Sequence, residues 1–349
     1  MYSRKFQDPR VLPIQDGKPV QGTWNRAFDS IDLSEVAHPY SLPIPGWVKA
    51  VRVKEWQSFA VQNKSYYLKA VLSDIKFYRM ARVVILDKET REQLIFKKVI
   101  PFGGWSLPRN LYNSSVSSKS YGFFFRIHNW LDAGVIKVDL DIEATGRRPA
   151  FTAHLNFDLS PEETTPLAVN LLFADTRPMY AFKGFGGVRG DMVFGGRHIS
   201  LDAERTAGFI ADYKGYFPYR MHGSWCTGAG FDEQGRRIGF SVGENHTREN
   251  FTNNENVLWV DGNATLLPPV RITMPQGPDS AWVIQDVEGM VDLTFTPLEK
   301  VRTGFNIIIT HFDYNTPIGC YNGTLLDSGG DEVPIRNLWG HGEKLYLRI

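Results

Sequence analysis

The chain has 349 residues, and its 39 Lys plus Arg nearly cancel its 38 Asp plus Glu. A near-neutral chain without a basic run offers no electrostatic footprint for nucleic acid. Its length suits about two domains, and its two cysteines, Cys226 and Cys320, are too few for a disulfide framework or a thiolate metal site.

The first ten residues lack the apolar segment of a secretory signal, and no run approaches the ~18 apolar residues of a membrane span. A cytoplasmic protein is therefore expected. Residues 1–45 read as an irregular lead-in with one strand near Gly22, Thr23 and Trp24. From Trp47 the pattern turns strand-like. Apolar runs at 81–86 and 93–100 flank the polar bend 87–91, which predicts a hairpin. Ile136, Val138, Leu140 and Ile142 alternate with charged residues, the mark of a strand with one wet face. Around 157–166 the composition shifts to acidic residues, threonine and proline. A domain boundary is placed there, giving an N-terminal domain at 1–165 and a C-terminal domain at 166–349.

The second half repeats the strand grammar. Turn signals fall at 232–235, 261–263 and 327–330, Val291, Leu293 and Phe295 alternate with polar residues, and 339–348 reads as a closing strand. Only 201–210, with its Asp-Ala-Glu start, reads as helix. Short strands punctuated every ~8–12 residues predict an all-β sandwich or barrel. The glycine-rich stretch 184–190 has no helix pattern after it and no Walker lysine, so it reads as strand rather than phosphate cradle, with Lys183 turned inward.

Residues 212–259 concentrate the groups that do chemistry. Asp212, walled by tyrosines, is a candidate general acid whose pKa burial would raise; a turn carboxylate is the plainer role. His222 is a proton donor or acceptor by its near-neutral pKa, or a hydrogen-bonded strand histidine. Tyr216, Tyr219 and Trp225 supply aromatic walls, and Glu244, Asn245 and Glu255 would orient polar substrate groups. The spacing of these carboxylates and histidines fits neither an EF-hand loop nor a zinc site, so no metal is expected. In the closing strand, Glu343 reads either as a buried partner for an arginine or as catalytic.

Several segments carry a family likeness. Lys54-Glu55-Trp56-Gln57, Tyr67-Leu68, Asp74-Ile75-Lys76-Phe77-Tyr78, Asp212 to Gly215, Asn254-Glu255-Asn256 with Leu258-Trp259, and Gly340 to Glu343 resemble a bacterial family of unknown function. That family is distantly similar to carotenoid hydratase and AttH-like proteins and to tocopherol cyclase. The resemblance implies two calycin (lipocalin-like) antiparallel β-barrel or half-barrel domains packed together, with few short helices. It also implies acid-assisted hydration, cyclisation or isomerisation of an apolar substrate. The hydratase strand motif Asp-His-Glu-Trp is met here only by Met221-His222-Gly223-Ser224-Trp225, which lacks both carboxylates.

The combined expectation is a cavity in the C-terminal half or at the junction, holding an apolar or amphipathic small molecule of lipid or terpenoid type. Asp212 or His222 would donate the proton, and no organic cofactor is called for. Two alternatives are a non-catalytic carrier of a hydrophobic ligand and a carbohydrate-active enzyme using paired carboxylates such as Asp212 and Glu244. Oligomeric state is left open.

Overall fold

The alternating segments become strands. In the Val135–Ile142 strand, Ile136, Val138, Leu140 and Ile142 are buried while Asp141 is exposed. Tyr78–Asp87 pairs with Gln93–Pro101 as a hairpin, and the Asp87 carboxylate closes the bend by accepting the backbone N–H groups of Glu89 and Thr90. The computed structural model describes residues 2–101, 103–146, 148–244, 246–307 and 310–348, without the side chains of 305–310. Among them the only α-helix is the seven-residue Gly46–Arg52, and no helix is long and apolar enough to cross a membrane.

Two large antiparallel sheets, of thirteen and eleven strands among the described residues, curl into half-barrels. The all-β expectation holds. The spine of the first sheet is the strand Arg177–Phe194. Its first half pairs with Leu167–Ala174 and Ala207–Gly215, its second with Phe151–Asp158 and Arg197–Leu201. The glycine-rich stretch lies inside this strand. A Cβ on Gly186 would stand 2.0 Å from the carbonyl oxygen of Asp158, so only glycine admits that approach where the strand changes partners. In the second sheet, Glu332–Arg348 pairs with Arg220–Phe231, Thr310–Asn315 and Ile318–Leu326.

One expectation shifts. Residues 201–210 are not helical: they end the Arg197–Leu201 strand, turn, and begin Ala207–Gly215. Asp202, which resembles a helix cap, instead accepts the Glu204 N–H within that single turn, and strand pairing on both sides overrides local propensity. The segment 157–166 lies along the first sheet, and the chain passes to the second between Gly215 and Arg220.

Each half-barrel has its own core, around Leu72, Val83, Phe125 and Leu140 in the first and Phe240, Trp282, Phe295 and Tyr321 in the second. A third cluster joins them, with Tyr67, Val84 and Phe209 from the first sheet against Trp259, Phe312 and Leu347 from the second. Strands at this seam are buried on both faces. All nine residues of Tyr66–Asp74 are buried, with Leu68, Ala70 and Leu72 serving the first core and Tyr67 the seam. The lead-in packs Trp24, Phe28, Leu33 and Val36 over Tyr180, Phe182 and Tyr216.

Trp259 is fully buried in the seam beside Phe185 and Phe209, and its indole N–H donates to the Thr165 carbonyl at 2.8 Å. Trp259→Ala should cost about 3–5 kcal/mol. The check is thermal melting, with a drop of many degrees for alanine and a smaller one for Trp259→Phe. An unchanged midpoint would show that the seam does not hold the sheets together.

Candidate functional site

Where the two sheets face each other they leave a hollow of about 100 Å³. The first sheet lines it with Trp56, Val71, Ile75, Met80, Phe209 and Ala211. The second adds Trp225, Phe312, Leu345 and Leu347, together with the polar side chains of Thr227, Ser241, Tyr314, His341 and Glu343. Strand register explains that grouping. Trp225 is opposite Glu343, and Thr227 is opposite both His341 and Ser241, so one face of three neighbouring strands carries them all. Trp225 lies flat because its neighbours are glycines: a Cβ would stand 2.1 Å from the indole on Gly223 and 2.5 Å on Gly243.

One end of the hollow is a buried ionic cluster. Lys69 from the first sheet forms a short ion pair with Glu343 from the second. His341 Nε2 lies 3.2 Å from the same carboxylate oxygen, and Tyr67 Oη lies 2.6 Å from His341 Nδ1. A carboxylate only accepts, so Nε2 carries the imidazole proton and Nδ1 accepts from Tyr67. Tyr314 also bonds to Glu343. The Arg82 guanidinium lies 5.0 Å over the Tyr314 ring and donates to Thr303 at 3.1 Å.

Burial drags His341 down to about 4, helped by Lys69 and Arg82, so it is neutral at pH 7. Burial likewise lowers Lys69 to about 8. Burial works against ionised Glu343 as well, but Lys69 and His341 outweigh it and hold the carboxyl well below the usual range. At neutral pH the pair is ionic and the imidazole is not.

A second cluster supports the aromatic wall. Glu255 is buried, pairs with Lys183 at 2.9 Å, accepts the Trp225 indole N–H at 2.9 Å, and accepts a short bond from the Tyr213 hydroxyl. Lys183 also donates to Ser241 Oγ and the Glu255 carbonyl, both at 2.9 Å. Tyr213 in turn stacks on Trp56 with ring centroids 4.9 Å apart. Arg4 braces the bend from behind, donating to Asn254 Oδ1 at 2.6 Å and the Asn256 carbonyl at 2.7 Å.

The residues singled out by sequence divide accordingly. Trp225, Glu255 and Lys183 come together, and of the three Trp225 lines the hollow. Asp212 is buried and its pKa is raised by that burial. Its side chain, however, lies on the strand face opposite Ala211 and Tyr213 and meets Lys214 at 3.4 Å, away from the cavity. His222 is exposed on the outer surface against Tyr346, with ring centroids 4.6 Å apart. Tyr216 is buried under the lead-in, donating to the Leu33 carbonyl at 3.0 Å, and Tyr219 is half exposed. Glu244 accepts the Ile272 N–H at 3.0 Å and pairs with Arg271 near the surface. Asn245 lies outside the described residues.

Lys69, Arg82 and Tyr314 escape a motif search, and His341 enters only as part of the Gly340 to Glu343 segment. Lys69 and Arg82 nevertheless carry a signal, each being a lone cation inside an apolar strand run, where a charge survives only with a buried partner. Among the described residues no group of three or more His, Cys, Asp or Glu could hold a metal ion.

The depressed His341 has a consequence for stability. Between pH 6.5 and about 4 the unfolded chain binds a proton at this residue that the folded chain refuses. That contribution is complete above 6.5 and is lost as pH falls towards 4. Thermal midpoints should therefore fall across that window, less steeply in His341→Gln. Equal slopes in the two proteins would mean that His341 is not held neutral.

No curated protein matches the chain by sequence. Among solved structures it is similar to kievitone hydratase from Nectria haematococca, with a TM-score of 0.52, 12% identity, and 84% of this chain and 88% of that one covered. It is similar to CghA at a TM-score of 0.51 and 11% identity over 85% and 88% of the two chains. At such identities the likeness is one of fold alone. A family model matches residues 3–348, and the chain thereby belongs to the family described as Domain of unknown function (DUF2804).

Proposed function

We propose that the chain binds an apolar or amphipathic small molecule, lipid- or terpenoid-like, in the hollow at the seam and promotes acid-assisted hydration or isomerisation of it. The observation that carries this reading is an apolar cavity closed at one end by a single ionised carboxylate, Glu343. Apolar walls with a few convergent polar groups are the usual form of a small-molecule site. The fold likeness to kievitone hydratase supports the same class.

The polar end in this reading is Glu343 with His341 and Tyr314, in place of Asp212 and His222, which the cavity does not reach. A carboxyl held so far below the ordinary range is a counter-charge and acceptor at neutral pH, not a proton donor. Lys69, at about 8, is the member of the cluster nearest the operating pH and the natural proton reservoir. In a hydration, one carbon of a double bond takes a proton relayed from Lys69, which does not itself line the hollow, through the Glu343 carboxyl, which does. Water adds to the other carbon and returns a proton, leaving the cluster unchanged. The faces of Trp56, Tyr213 and Trp225, together with Glu343, would stabilise the intervening positive charge.

One observation favours a carrier as the second reading: Lys69, Glu343, His341 and Tyr67 satisfy one another, as a purely structural ion pair would. Asp212 and Glu244 lie on different sheets and neither lines the cavity, so paired-carboxylate sugar chemistry is not proposed.

The neutral fluorescent probe N-phenyl-1-naphthylamine tests the cavity. It should bind the wild-type chain and lose at least about tenfold in affinity in Ala211→Phe, whose ring fills the hollow; ~1.4 kcal/mol corresponds to that factor. Unchanged binding in a folded variant would move the site elsewhere. Extraction of protein purified from its own host, followed by mass spectrometry, should release a lipid or terpenoid; a sugar would count against the proposal. Once a substrate is found, Glu343→Gln separates the readings. An enzyme loses turnover by about 10²-fold or more, whereas a carrier has no turnover to lose.

A further inference from the structure

We infer that the polar end of the molecule taken by this cavity is a neutral hydrogen-bond donor, an alcohol or phenol hydroxyl, and not a carboxylate or other oxyanion. The inference rests on the reading of the hollow as a binding site and follows from counting donors and acceptors around it.

The strong donors of the two ionic clusters are already engaged. The imidazole N–H of His341 points to Glu343, and its other nitrogen accepts from Tyr67. The Tyr314 hydroxyl bonds to Glu343, the Tyr213 hydroxyl donates to Glu255, and the Trp225 indole N–H donates to Glu255. Lys183 is directed at Glu255 and Ser241, and Lys69 at Glu343. What these groups leave open is acceptor capacity. A carboxylate has about four lone-pair sites, and the Lys69 and His341 contacts both fall on Oε1 of Glu343. Each tyrosine oxygen also keeps a lone pair. Ser58, Ser73, Tyr78, Thr227 and Ser241 hydroxyls line the same hollow and can rotate to either role, so they do not decide the question.

One feature of the electrostatics opposes this. Arg82 and Lys69 together outnumber Glu343, and Nη2 of the buried Arg82 has no hydrogen-bond partner. Neither cation lines the hollow, however, whereas Glu343 does. A ligand oxyanion would meet the carboxylate first, at close range, with both cations behind it. A hydroxyl would instead give Glu343 a charge-assisted hydrogen bond, the stronger kind. The size fits a compact ligand head: an apolar cavity of roughly 150 Å³ accepts benzene, so a hollow of about 100 Å³ seats about one ring, and the remainder of a larger ligand or probe lies outside it.

The test uses three probes with one stem: 4-phenyl-1-butanol, its methyl ether and 4-phenylbutyrate. Each is titrated into the full chain and followed by calorimetry and by the emission of the cavity tryptophans. The alcohol should bind about tenfold tighter than the ether, which accepts but cannot donate, and tighter than the carboxylate by at least as much. Glu343→Gln should compress the alcohol-to-ether ratio towards one. The wild-type series stands by itself if that variant fails to fold. Equal affinities for alcohol and ether, or tightest binding by the carboxylate, would overturn the inference while leaving the cavity as a site. Failure of all three to bind, with N-phenyl-1-naphthylamine also excluded, would overturn the binding site and this inference with it.

Discussion

The ion pair between Lys69 and Glu343 crosses the seam between the two half-barrels, and the rest of the site depends on it. Apolar burial pulls the two sheets together but is non-directional. What fixes their relative placement is a set of polar contacts that span the seam: Tyr67 to His341, Arg82 to Thr303, and Lys183 and Tyr213 to Glu255. Each joins a side chain of the first sheet to one of the second. Taking two charges out of water is costly, and breaking such a pair leaves the survivor buried and unpaired. A sheet that slid along its neighbour would incur that penalty at several places at once.

The hollow is the gap left where these two faces do not meet. Its walls are the ordinary apolar faces of seam strands, and its polar end is the ion pair itself. The same residues therefore serve as fastener and as candidate chemistry. Glu255 plays a parallel part further along, holding Tyr213 and Trp225 by their polar tips so that their rings face the cavity, with Arg4 bracing the bend from behind. A fold shared with hydratase-type proteins does not by itself transfer a reaction. The functional argument lives in this geometry, an apolar gap ending on an ionised carboxylate with a lysine of lowered pKa beside it.

The neighbourhood of Asp212 shows how strand geometry sorts candidates. Asp212 and Tyr213 are adjacent, both buried and both perturbed, yet the two-residue period sends one to the inner face of the first sheet and the other to the seam. Gly223 and Gly243 matter for a related reason, since bare backbone there gives the Trp225 ring a floor.

Much was legible in the residues alone: the all-β class, the Asp87 hairpin, the wet-faced strand of Ile136 to Ile142, the closing strand, and an inward-facing Lys183. These follow from local alternation, turn chemistry and the rule that a charge within an apolar stretch must be paired. The family likeness added the hydratase-type architecture. The chain order does not say which of two buried faces a residue occupies when both faces are apolar, as in Tyr66–Asp74. Nor does it say which distant strand will lie opposite. Lys69 and Glu343 are separated by most of the chain, and only the docking of one sheet on the other brings them together. Sequence determined the strands and the polar residues that had to find partners. Tertiary structure decided the partners, because packing between sheets is set by surfaces that no single segment contains.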